Sequence, residues 1–160
     1  MPDLIEIEDI YELIERKGNL TEFYFKGYRC GVKVNEELMI LCGYVAIPED
    51  HSLFNKNSEL YELKVHGGIT FNELGYNCAG LSNKDNDKKL QWVGFDCGHF
   101  GDLIPGIGKV NENDELKDMR FVLNEIQGLV GQLEKKEYQN KIEDDSLANR
   151  LINRIKGLIK

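Results

Sequence analysis

Leu38-Met39-Ile40-Leu41-Cys42-Gly43-Tyr44-Val45-Ala46-Ile47 is apolar at successive positions rather than alternate ones. Neighbouring side chains of an extended chain point to opposite faces, so this run is suited to the middle of a sheet, buried on both sides. Pro48-Glu49-Asp50 closes it, because proline has no N–H to give a ladder. On its amino side, Asn35-Glu36-Glu37 separates it from Tyr28–Val34 at a spacing that suits a hairpin, and Glu22–Phe25 adds a short aromatic run before that.

Downstream, Leu90-Gln91-Trp92-Val93-Gly94-Phe95-Asp96 reads as the last strand. Tyr61–Val65 and Ile69–Glu73 flank His66-Gly67-Gly68. A three-residue loop there pairs Val65 with Ile69 and Leu63 with Phe71 on one apolar face, whereas a two-residue turn mixes the faces. The expected hairpin therefore holds His66 in its loop, with Gly68 in the left-handed region. Asn83–Lys89 is polar throughout and is expected to be an exposed loop. No helical pattern lies between consecutive strands, so the pairing should be antiparallel.

Helical periodicity marks the two ends. Leu4–Arg16 carries apolar residues at 4, 7, 11 and 14, with 10 and 13 beside them, and Gly18-Asn19 supplies a stop. Asn113 or Asp114 can cap a second helix, whose stripe is Leu116, Met119, Val122, Ile126, Leu129, Val130 and Leu133. A polar break at Tyr138–Ser146 precedes a last helix with Leu147, Leu151, Ile155, Leu158 and Ile159 in its stripe. The expected fold is α+β, a mostly antiparallel sheet of about five to six strands with an N-terminal helix and two C-terminal helices. Residues 1–136 form a single domain in this reading. Residues 137–160 form a basic amphipathic helix packed on the domain or on a partner subunit, a route to a homo-oligomer.

The formal net charge of the 160 residues is −8, which argues against double-stranded nucleic acid as a partner, since phosphate contacts need a basic surface. The charge is uneven. Residues 135–160 hold seven Lys or Arg against four acids, a net of +3, which leaves −11 for the rest. Met1–Glu8 has no basic region followed by an apolar stretch, and no run approaches the ~20 apolar residues that cross a bilayer. A cytoplasmic protein without a membrane partner is expected. Cys30, Cys42, Cys78 and Cys97 form no C-x-x-C pair, so the expectation is reduced, mostly buried thiols rather than a structural zinc site.

Glycine, at 16 of 160 residues, exceeds its usual ~7%, and seven of the sixteen cluster around two of the three histidines. The segments are Val65-His66-Gly67-Gly68-Ile69-Thr70 and Gly94-Phe95-Asp96-Cys97-Gly98-His99-Phe100-Gly101-Asp102. Glycines let a backbone turn sharply or approach a ligand while polar side chains converge. His66, Asp96, His99 and Asp102 supply nitrogen and oxygen donors that suit a divalent metal, or an Asp–His pair that orients a base or bonds a ligand directly. His66, Gly67, Gly68, Asp96, His99 and Asp102 are the candidate ligand-binding set, and His66, Asp96, His99 and Asp102 the candidate metal set. His51 is a weaker candidate. Cys97, two residues before His99, is a nucleophile in principle only, since such neighbours seldom bring their side chains together.

Cys-Gly-Tyr-Val-Ala-Ile-Pro-Glu-Asp-His (42–51), Val-His-Gly-Gly-Ile-Thr (65–70) and Trp-Val-Gly-Phe-Asp-Cys-Gly-His-Phe-Gly-Asp (92–102), in that order, resemble a family of small bacteriophage- and prophage-encoded proteins. In that family the last motif often reads G-F-D-C-A-H-x-G-D and precedes a helix; Gly98 stands here where Ala is common. The likeness spans residues 28–133. It implies a phage origin, and with it the cytoplasm of a bacterial host, more than a reaction.

Three functions follow as expectations. One is a small-ligand protein whose glycine loops hold a polar, nucleotide-like molecule. Another is a metal-dependent hydrolase using His66, Asp96, His99 and Asp102. The third is an interaction or inhibitor module in which the glycine loops are structural and the basic tail is the contact surface.

Overall fold

The doubly apolar run forms β3 (Ile40–Pro48) in a computed structural model that describes residues 20–74, 80–81 and 88–159, with the backbone of 84–85. Around it lie β1 (Leu20–Phe25), β2 (Tyr28–Asn35), β4 (Phe71–Leu74), β5 (Lys84–Asp85) and β6 (Lys88–Asp96). The sheet runs β1-β2-β3-β6-β4 with every neighbour antiparallel, and the two-residue β5 pairs with the start of β6. Thus β3 is central, as its two apolar faces require. Two helices complete the described fold, α1 (Asn57–Leu60) and the 40-residue α2 (Met119–Leu158).

Local chemistry explains the connections. Lys26 and Gly27 have φ of 48° and 80°, the left-handed pair of a two-residue hairpin turn that sets Phe25 opposite Tyr28. At the β2–β3 turn, Asn35 Oδ1 accepts the Leu38 N–H at 3.0 Å.

Alternation sorts β3 and β6 into two cores. Val45, Ile47, Val93, Phe95 and Cys97 face α2 and pack with Val122, Ile126, Leu129, Val130 and Leu133. Tyr44, Ala46, Leu90 and Trp92 take the opposite face, with Leu81. Two glycines let the large rings lie flat. Gly43 pairs with Phe95, and a Cβ on Gly43 would stand 2.5 Å from that ring. Gly94 pairs with both Tyr44 and Phe71, whose rings meet edge to face at 5.2 Å.

Four expectations are corrected. Tyr61–Val65 is no strand, so the hairpin around His66 does not form. Leu63 and Ile69 enter the α2-side core while Phe71 packs with the opposite cluster, so the alternation does not describe one face. Asn83–Lys89 is not wholly loop, because Lys84-Asp85 pairs with Lys88-Lys89. The second helix is capped by Asp118, whose Oδ1 accepts the Phe121 N–H at 2.9 Å, and not by Asn113 or Asp114; Leu116 lies before it, exposed. Finally, Tyr138–Ser146 does not break the chain, and one helix replaces the expected two. That stretch is polar but contains no Pro or Gly, so nothing in it interrupts helical hydrogen bonding. The expected helix over Leu4–Arg16 lies outside the described residues.

Adding side chains at two glycines should move stability in opposite directions. Gly43→Val forces a methyl into the Phe95 ring and should destabilise by about 1–3 kcal/mol. Gly128→Ala, in α2 with nothing within 4 Å of its Cβ position, should stabilise by about 0.5–1 kcal/mol. Urea denaturation of both variants reads the two signs.

Candidate functional site

Residues 49–70 carry little regular structure yet lie against the core, burying Leu53, Leu60, Leu63 and Ile69. Their backbone groups need partners there; local turns satisfy many, and α2 supplies others. Glu137 Oε2 accepts the Ser52 N–H at 2.7 Å. Gln132 bonds both backbone groups of Lys64, accepting its N–H and donating to its carbonyl, each at 2.7 Å. Glu125 Oε2 accepts the His66 N–H at 2.7 Å. The sheet adds Gln91, whose Oε1 accepts the Asn55 N–H at 2.6 Å.

Held this way, Val65–Gly68 closes a turn through a Gly68 N–H to Val65 carbonyl bond of 2.9 Å, with Gly67 and Gly68 at φ of 67° and 81°. The Thr70 N–H donates to the Gly94 carbonyl at 2.9 Å, which lays the turn beside the carboxyl end of β6. From that end the 97–114 loop folds back. Gly106 donates its N–H to the Leu38 carbonyl at 2.9 Å, and a Cβ there would lie 2.3 Å from the Glu37 oxygen.

The two glycine loops therefore meet. His66 Nε2 lies 2.7 Å from Asp102 Oδ2, although 36 residues separate them. That oxygen also accepts the His99 N–H at 3.0 Å, and the Asp102 side chain is only 1% exposed. The His66 and His99 rings meet at 5.3 Å, and Phe121 closes the other side of His66 at 5.0 Å. Asp96 is bound differently: its carboxylate accepts the Gly98 N–H at 2.9 Å and the Thr70 hydroxyl at 2.9 Å. His99 Nε2 lies 3.5 Å from Asp96 Oδ1 but is buried without a hydrogen-bond partner. It points at Gly67, where a Cβ would stand 1.9 Å away, so only glycine fits that place.

His66 Nε2 thus faces an oxygen that already accepts the His99 N–H, and among the described residues His66 Nδ1 has no hydrogen-bond partner. Asp102 and His99, but not His66, also line a cleft of about 230 Å³, completed by Gly98, Phe100, Gly101, Ile104, Ile107, Gly108, Val110, Asn111 and Asp114. The metal set does not assemble. The carboxylate oxygens turn onto neighbouring N–H and O–H donors, and among the described residues no three His, Cys, Asp or Glu side chains are placed to hold an ion.

Cys97 is buried, and that burial, then Asp102 and Cys42, push its thiol up to about 12, which disfavours the thiolate form at neutral pH. Among the described cysteines, Cys30, Cys42 and Cys97 are unpaired thiols; Cys78 lies outside. His51 stands elsewhere, in a structural role. Its Nδ1 accepts the Leu53 N–H at 3.0 Å, and Nε2 meets the Tyr28 hydroxyl at 3.1 Å. Sequence reasoning missed Phe121 and Glu125, which belong to the helix, and Thr70, which sat unremarked within the quoted motif. No protein-family model, curated protein or solved structure matches the chain.

Asp102→Ala strips the partner from both His66 and the His99 N–H and should cost about 2–4 kcal/mol, read by chemical denaturation. Asp96→Ala, at a more exposed carboxylate, should cost about 1 kcal/mol.

The ionisable core groups also fix a pH profile. Burial holds the His51 imidazole below its ordinary 6.5, so the unfolded chain gains a proton first and stability falls as pH drops below that value. Burial alone would raise Glu137, but the Ser52 N–H and then Lys141 bring it from 4.5 down to about 2, and its contribution is lost as pH falls through that range. Burial raises the Cys30 and Cys97 thiols from 9.0 to about 12, so stability falls again above pH 9. Thermal denaturation should show a plateau between these limits.

Proposed function

We propose that the chain is a small-ligand protein of phage or prophage type, acting in the cytoplasm of a bacterial host. Its site takes an uncharged polar molecule of base or sugar size in the cleft formed by residues 98–114. The observation that carries this reading is a cleft walled by His99 and the buried Asp102, whose carboxylate is tied to His66 from a distant loop. Burying a carboxylate against an imidazole costs desolvation, and the cost is offset here only by the hydrogen bonds to His66 and the His99 N–H.

Size and charge narrow the ligand. About 230 Å³ is below the ~300–1,000 Å³ usual for drug-sized molecules, which favours a single ring or sugar over a dinucleotide. Among the described residues no Lys or Arg lines the cleft, while Asp102 and Asp114 do, which disfavours a phosphate. The rim is apolar, with Phe100 97% exposed beside Ile107 and Val110, as stacking on a ring requires. Nothing in the donor set favours the metal-dependent hydrolase. No helix among the described residues is long and apolar enough to cross a membrane.

The same exposed rim favours a second reading, in which the loop docks on a protein. A screen of uncharged polar fragments, adenosine and uridine included, against the 15N-labelled chain separates the two. Shifts should gather at residues 98–114 and at His66, and should disappear in His66→Ala. The absence of any fragment shifting these residues, or shifts gathered on another surface, would leave the ligand reading without support.

A further inference from the structure

From Lys141 to Ile159 every residue is exposed, although α2 runs unbroken to Leu158. Among the described residues Asn140, bonded to Ser52 Oγ at 3.0 Å, is the last of α2 with a hydrogen bond to another element. Residues 141–158 therefore make an overhang of about 27 Å.

The overhang carries an apolar stripe. At about 100° per residue, Leu147, Ala148, Leu151, Ile152, Ile155 and Leu158 fall within an arc of about 140°. Val122, Ile126, Leu129, Val130 and Leu133, which pack in the core, fall in the same arc. The stripe thus faces the side on which the domain lies, and its Leu and Ile residues are 47–86% exposed. Lys141 and Asp144 interrupt the arc between core and stripe, and Lys141 pairs with Glu137 at 2.9 Å.

That direction selects the occupant. A flat lipid surface laid along the stripe would meet the domain, whereas a single helix fits beside the overhang. A parallel copy of α2 does not fit, since its own continuation would run through this chain's domain. An antiparallel copy meets no such obstacle. Each overhang then runs toward the other copy's domain and ends where that domain begins, which sets Lys141 level with Leu158 of the second copy.

The charges suit the same register. Glu143 and Arg154 lie on one border of the stripe, and Asp145 and Lys156 on the other, each pair about 20° apart around the helix. In a two-fold antiparallel pair like borders face each other. Glu143 then stands two residues, about 3 Å along the axis, from the level of Arg154 of the second copy, and Asp145 equally close to that of its Lys156. Asp144 is one residue from the level of the same Arg154. Between the borders Ala148 faces Leu151, and Leu147 faces Ile152.

We propose that the overhang of α2 docks the same overhang of a second copy, antiparallel, in a two-fold dimer bordered by Glu143–Arg154 and Asp145–Lys156 pairs.

Light scattering coupled to gel filtration on the full chain tests this at tens of micromolar. The wild type should elute with twice the 18.4 kDa chain mass. Leu151→Asp with Ile155→Asp should give monomers with unchanged near-ultraviolet circular dichroism, since these side chains lie outside the core. Glu143→Lys with Asp145→Lys turns the border attractions into repulsions and should raise the dissociation constant about tenfold or more. Adding Arg154→Glu with Lys156→Glu should bring it back to within about threefold of the wild type. A monomeric wild type would overturn the proposal, as would a dimer that survives the Leu151 and Ile155 substitutions. So would failure of the second charge reversal to rescue the first. Sedimentation of a monomeric wild type with phosphatidylglycerol vesicles would assign the stripe to a lipid surface instead.

Discussion

A chain segment that packs on a core with almost no strand or helix must find partners for its backbone N–H and carbonyl groups by other means, and this fold rests on how residues 49–70, with only the four-residue α1, meet that demand. An unpaired buried group costs about 1–3 kcal/mol, so a few would cancel much of a small domain's stability. Local turns supply part of the partners, as in the Phe54 N–H to His51 and Leu63 N–H to Leu60 carbonyl bonds, and polar side chains on α2 supply others. Gln132 acts toward Lys64 as a neighbouring strand would, accepting one bond and donating another. Glu125 and Gln132, two turns apart on one edge of the helix, bond His66 and Lys64 respectively, and Glu137 bonds Ser52. The helix is at once the lid of the core and the scaffold for the His66 turn.

The site inherits its geometry from that scaffold. His66 is fixed at its backbone by Glu125 and at its ring by Phe121 and Asp102. The Asp102 end is fixed separately, through the 97–114 loop and the close approach of Gly106 to the β2–β3 turn. Glycine serves different ends along this path. Gly43 and Gly94 make room for rings in the sheet, Gly106 for a neighbouring backbone, and Gly67 for the His99 ring. Of these, only Gly67 lies where polar side chains converge.

Much of this was legible in the residues. A run apolar on both faces implied a central strand, and β3 is one. Clustering of glycine around His66 and His99 pointed to the two loops that meet. The identity of the partner was not legible: spacing cannot say that His66 reaches Asp102 rather than Asp96, because that depends on where α2 places the turn. Alternation at Leu63, Val65, Ile69 and Phe71 misled for the same reason. Side-chain hydrogen bonds from Gln132 and Glu125 replace a ladder and leave no periodic trace. Tyr138–Ser146 misled differently, since polarity marks exposure and not the end of a helix.

The Asp102–His66 contact joins the two glycine loops, and it depends on a rigid His66 turn. Native-state amide hydrogen exchange at Ser52, Lys64 and His66 measures this directly. If side chains of α2 hold the segment as described, these amides exchange only with opening free energies close to those of the β3 and β6 amides. Exchange at the rate of an open loop, while β3 and β6 stay protected, would contradict the account.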